Sequence, residues 1–163
     1  MDGSLPPDDP WARPPGADDA TVEATGKLSE ALEWVERARG HLYEFHQLMG
    51  RADLTFGEAA DMLAAAGHGP LADRVGAEVV GRNVLHGRWT FQVVEEFDDC
   101  YYRPAAAVEA DVRDALVAGR RHVYEAELKE ARRTAGRPHH ECRPTGEGAA
   151  GATDPSARPD DGA

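Results

Sequence analysis

Basic residues, cysteines and long apolar runs are all scarce in this chain, and each scarcity excludes something. Lysine and arginine total 18 against 30 aspartates and glutamates, a net charge of −12. The excess acid is spread out: residues 1–26 contribute −5, residues 27–134 another −5 and residues 135–163 the last −2. A nucleic-acid surface needs clustered Lys and Arg against the phosphates, so no nucleic-acid partner is expected. The two cysteines, Cys100 and Cys142, fall one in a helical stretch and one near the C-terminus. They do not suggest a structural disulfide, and a reducing cytoplasm is the expected location. No apolar run approaches the ~20 residues that cross a bilayer. The opening Met-Asp-Gly-Ser-Leu-Pro-Pro has no basic region ahead of an apolar one. Neither a membrane partner nor a signal peptide is therefore expected.

Catalytic signatures are missing as well. The patterns GxxxxGK[ST], GxSxG, HExxH and CxxC do not occur, and GxGxxG occurs once, at Gly146–Gly151, in a Gly- and Ala-rich stretch with no strand before it. These absences argue against common phosphotransfer, dinucleotide, hydrolase and zinc chemistry, and no cofactor is expected. Sustained two-residue alternation is missing too, which excludes a sheet.

What remains is helical. Leu28, Val35, Leu42 and Met49 recur every seven residues, and Ala31, Ala38 and Phe45 do the same three positions on. That seam predicts a core helix from about Lys27 to Met49, ended by Gly50. Thr55-Phe-Gly-Glu58 has capping-box spacing and opens a second helix, Thr55–Ala66. Gly50 alone costs a continuous helix only ~1 kcal/mol, so one long helix is the alternative. A third, short helix starts at Pro70 and ends near Gly81, followed by a loop to Arg88 with Gly87 as its hinge. A last helical stretch runs from Thr90 to Thr134, with a kink or break at Pro104 and a weak point at Gly119. On it, Glu109–Arg113 and Glu125–Lys129 read as four-residue ion pairs on an exposed face. Residues 1–26, with five Pro and five Asp, and residues 135–163 lack an apolar period and are expected to be disordered. The chain is thus expected to be all-α: an antiparallel helical bundle of four or five helices over residues 27–134, between two disordered tails.

Candidate chemistry centres on the polar loop and its surroundings. Tyr43, His46, Asn83, His86, Arg88 and Glu95 are candidates to line a ligand-binding site, with Trp89 expected to anchor the loop by plugging the base of the bundle. His46, on the flank of the seam, needs a hydrogen-bond partner that the loop can supply. No histidine follows an acid in the Glu-x-x-His order of carboxylate-bridged metal bundles. The reverse order occurs at His41–Glu44 and His122–Glu125, and His139-His-Glu-Cys142 is a compact ligand cluster without a folded frame. No metal site and no catalytic residue is assigned. Glu95, Glu96, Asp98 and Asp99 read as an acidic outer face around Phe97, open to a cation or a basic partner.

Two stretches, Gly81-Arg-Asn-Val-Leu continuing through Gly87-Arg-Trp-Thr-Phe-Gln-Val-Val-Glu-Glu-Phe-Asp-Asp99, and Arg120-Arg-His-Val-Tyr-Glu-Ala-Glu-Leu-Lys129, carry a family resemblance. Over about residues 30–134 the chain resembles a group of small, helical, functionally unassigned proteins from high-G+C bacteria. The resemblance implies a helical fold and no catalytic residue. The function expected is that of a non-enzymatic helical interaction or regulatory protein, bound to a protein partner or to itself through the last helix or through Trp34. The alternative is a small-molecule-binding or catalytic bundle, metal-dependent in a weaker version, with its site at the Asn83–Glu95 loop facing Tyr43 and His46.

Overall fold

Helix α1 spans Asp19–Ala65, 47 residues and about 70 Å at ~1.5 Å per residue. It belongs to a computed structural model that describes residues 9–143. Of the tails expected at 1–26 and 135–163, residues 1–8 and 144–163, with the Gly146–Gly151 match, lie outside those residues. The helix starts earlier than the apolar seam predicts because Asp18 caps it: its carboxylate accepts the Thr21 backbone N–H at 2.8 Å. The chain does not break at Gly50. The Thr55 hydroxyl does not cap a second helix either, but donates to the Arg51 carbonyl of the preceding turn at 2.9 Å. The long-helix alternative is the one adopted.

Gly67, at φ +86°, turns the chain out of α1. Helix α2, Gly69–Glu78, comes next, with Pro70 in its first turn. Its exit is tied back to α1, since Asp53 Oδ1 accepts the Gly81 N–H at 2.7 Å. The polar loop ends at Trp89, and α3 (Thr90–Phe97) begins. Pro104 does not break the helical run beyond α3. Ahead of the proline the helix widens into a π turn, Asp98–Tyr102, in which the Arg103 N–H reaches back five residues to the Asp98 carbonyl, and α4 (Arg103–Val117) continues. The wider turn takes up the missing donor and the bulk of the proline ring. Left-handed Ala118 and Gly119, with the Gly119 N–H on the Arg113 carbonyl at 3.1 Å, end α4, and α5 runs Val123–Arg132. The described residues are mostly helical, with no strand among them.

Every other helix touches α1. The one buried apolar cluster among the described residues joins Val22, Val117 and Val123, with Ala17 packed on it, where the start of α1 meets the end of α4 and the start of α5. Residues 9–18, expected to lie in a tail, pack here too. Ala12 and Asp9 are buried, Arg13 makes a two-pronged contact to Glu127 at 2.8 Å, and the Ala12 carbonyl accepts from Arg120 at 2.7 Å. Glu109–Arg113 is also not an exposed pair. Glu109 is buried, accepts from Ser29 Oγ on α1 at 2.8 Å, and Arg113 reaches on to the Gly119 carbonyl at 2.7 Å. Glu125 contacts His122 at 3.9 Å rather than Lys129.

Gly26 sits where α5 crosses α1, and a Cβ there would come within 3.0 Å of the Tyr124 Cβ, whereas one on Gly50 would meet nothing within 4 Å. Gly50→Ala is therefore expected to raise stability by about 1 kcal/mol through helix propensity. Gly26→Ala should fail to show that gain and lower the denaturation midpoint, because the crossing must open. Chemical denaturation of the two variants checks both directions.

Candidate functional site

The residues expected to line a site at the polar loop are mostly open to solvent. Tyr43 is exposed, with the Arg39 guanidinium 4.9 Å from its ring centre. His46 is half-buried, and its Nδ1 lies 2.8 Å from the Thr90 hydroxyl, so the partner it needs comes from the start of α3 rather than from the loop. Asn83 and His86 stand exposed on the loop, and Glu95 is exposed on α3. Arg88 forms an ion pair with Glu96. Trp89 does not plug the base of a bundle: it is 59% exposed and tilts against Phe91 with ring centres 5.3 Å apart. A polar cavity of about 260 Å³ forms elsewhere, between α1, α4 and α5, where Ser29, Glu36, Glu109, Arg113 and His122 line it. Among the described residues no three His, Cys, Asp or Glu side chains are grouped so as to hold a metal ion, and this includes His139–Cys142.

Three of the four acids of the run pair with different arginines, and Glu95 stays exposed. Glu96 pairs with Arg88, Asp99 with Arg103, and Asp98 turns inward to Arg39. The last pair is bidentate, with Nε–Oδ1 at 2.6 Å and Nη2–Oδ2 at 2.8 Å. The Arg39 guanidinium also lies over the Tyr43 and Tyr102 rings, 4.9 and 4.8 Å from their centres. Hydrogen bonding to Arg39 holds the Asp98 carboxyl below its ordinary range, and burial pushes the Tyr102 phenol up. The sequence signal for this cluster is an arginine between Val35 and Leu42 on the apolar seam, a place where a charge needs an inward partner.

The second feature is an apolar stripe that points away from the rest of the chain. Leu28, Val35, Leu42 and Met49 are half-buried against the other helices, whereas Ala31, Ala38 and Phe45, three positions on, are exposed. The outward stripe includes Trp34, Leu48 and Met62, which are 60%, 60% and 73% exposed. The sequence shows both stripes, but the spacing alone reads them as one wide face. Across the described residues, six buried apolar side chains stand against nineteen exposed large ones. Exposed apolar side chains aligned along one helix form the kind of surface that favours association. No helix of the described residues is long and apolar enough to cross a membrane, so the exposed surface is not a membrane span.

No family model matches the chain, and no curated protein or solved structure matches it either.

Asp98→Asn removes the charge that Arg39 grips and is expected to lower stability by about 1–3 kcal/mol at neutral pH. Because the folded carboxyl is held below its ordinary value, the wild-type advantage is complete above about pH 4 and is lost as pH falls through the lower folded value. Urea unfolding across an acid pH series should show wild type and variant converging. A difference that persists in acid would assign the stabilisation to something other than this carboxylate.

Proposed function

We propose that the chain is a non-enzymatic helical interaction protein, working in the cytoplasm, whose antiparallel bundle is completed by a protein partner on the outer face of α1. One observation carries this reading: the stripe through Trp34, Phe45, Leu48 and Met62 is apolar, runs along most of a 47-residue helix, and faces solvent. Apolar surface of that length has no use in an isolated chain and a direct one in a helix–helix contact. The charge of −12 argues against nucleic acid as the partner, and the exposed Cys100 and Cys142 suit a reducing compartment. The resemblance to small helical proteins of high-G+C bacteria brings no competing activity with it. The alternative, a small-molecule site at the Asn83–Glu95 loop facing Tyr43 and His46, is supported only by the His46–Thr90 contact beside that loop.

Native mass spectrometry of the untagged protein from its own cells separates the two. The expected result is a complex with a whole polypeptide, of this chain or another, that is lost in a Leu48→Glu variant. A charge at the centre of a helix seam should weaken such a contact by at least a hundredfold, about 2.7 kcal/mol. A bare monomer, or a small reproducible excess mass retained by Leu48→Glu, would overturn the interaction reading, and the excess mass would favour the alternative.

A further inference from the structure

The outward stripe has the period of a coiled coil. Positions 34, 38, 41, 45, 48, 52, 55, 59 and 62 alternate steps of four and three residues, the spacing of the two core positions in a heptad. The stripe from 31 to 62 runs about 47 Å at ~1.5 Å per residue. Residues immediately before alternate core positions flank such a seam, and here they are Glu30, Arg37, Glu44, Arg51 and Glu58. Their charges alternate in sign every seven residues, and all five are exposed. Among the described residues Arg37, Arg51 and Glu58 form no salt bridge, and Glu44 has only a 3.4 Å contact to exposed His41. The other flank, Val35, Leu42, Met49 and Phe56, is apolar.

From this pattern we infer that the occupant of the stripe is a second copy of this chain, its α1 antiparallel to the first, with the two-fold axis between positions 46 and 47. The inference rests on the interaction reading and names its partner. In an antiparallel pair the flanking positions of one kind meet each other, whereas in a parallel pair they meet the opposite flank. The parallel arrangement would set these charges against Val35, Leu42 and Met49, which offer nothing to pair with. The antiparallel arrangement centred between 46 and 47 sets Arg37 against Glu58 of the second copy, and Glu44 against Arg51. Symmetry repeats both, so all four contacts join opposite charges. The same register settles the core. Trp34 meets Ala59 and His41 meets Ala52, large against small, as interdigitating layers require. Ala38 meets Thr55, and Phe45 meets Leu48 on either side of the axis. Arg37 is already placed for this: its guanidinium lies 4.7 Å above its own Trp34 ring, at the seam's edge.

The test exchanges charges in the purified full-length chain. One variant carries Arg37→Glu and Arg51→Glu, the other Glu44→Arg and Glu58→Arg, and both change only exposed side chains. Sedimentation equilibrium is expected to show a wild-type dimer, about a hundredfold weaker self-association for each variant alone, and recovery of the dimer when the two are mixed. In a Cys100→Ser, Cys142→Ser background, Ala38→Cys mixed with Thr55→Cys should oxidise to a cross-linked dimer, while Ala38→Cys alone should not. Self-association of either charge variant at wild-type strength, failure of the mixture to recover, or cross-linking of Ala38→Cys to itself would overturn the antiparallel register. A purified wild type that stays monomeric, while the cellular protein carries a different chain lost in Leu48→Glu, would sink the second copy and leave the interaction reading standing.

Discussion

The two-pronged contact between Arg39 and Asp98 fixes how the second half of the chain lies on α1, and it depends on the π turn ahead of Pro104. In an uninterrupted α-helix each residue advances about 100°, so the buried Val94 and Val117 would point about 140° apart. One residue taken up by the wider turn brings them to within about 40°, which puts both against the same neighbour. Asp98 opens that turn and Tyr102 closes it, and both close on Arg39. The proline that sequence reading treats as a disruption is thus what gives α3 and α4 a common face. Glu109 reaches Ser29 and Val117 reaches Val22 only because that phase is set.

Much of this was legible in the residues, and the failures have physical causes. The inner seam, the short helix at Pro70, the loop hinge at Gly87 and the weak point at Gly119 arise from local rules, and local rules suffice for them. Gly50 misleads because a helical glycine costs only ~1 kcal/mol, which the packing on either side exceeds. Thr55-Phe-Gly-Glu58 misleads because a threonine in mid-helix satisfies its hydroxyl on the preceding turn. The early start of α1 was readable from Asp18 ahead of Val22, but the run of prolines before it dominates the composition. Glu109–Arg113 looks from sequence like any four-residue surface pair, since spacing says nothing of what covers it. The candidate residues around the loop are grouped by chemistry alone, and only three-dimensional placement decides whether chemistry converges. Here His46 finds Thr90, and Arg88 finds Glu96.

The division of α1 into two faces explains the small core. At its N-terminal end the helix is held by α4, α5 and residues 9–18, and all three members of the buried valine cluster lie there. Towards its C-terminal end it is accompanied by α2, and the large apolar residues on its far side, Leu48, Leu54 and Met62, are open to water. Chain length is not the reason, since a chain of this length can bury a sizeable core. The reason is shape: a single helix about 70 Å long cannot be wrapped on both sides by one run from Thr90 to Val117, about 42 Å long, and two helices of 10 residues.

In the proposed dimer, association and folding would be coupled along α1. A helix turn whose apolar side faces water contributes propensity and little else, and an isolated helix is marginal on propensity alone. Beyond Phe45 the inner side of α1 rests on α2, with Ala72 buried and Asp53 holding the Gly81 N–H, while the valine cluster and the Arg39–Asp98 pair lie on the other part of the helix. A partner laid along the outer stripe, as proposed, would cover the side of α1 that no other helix covers. Stability of the proposed dimer would then rise with protein concentration, as mass action requires of any fold completed between chains. In the proposed dimer the alternating charges on the flank would do a separate job: they would add little energy at an exposed edge, but like charges would meet in any register shifted by one heptad, so those registers of the same apolar stripe would be disfavoured.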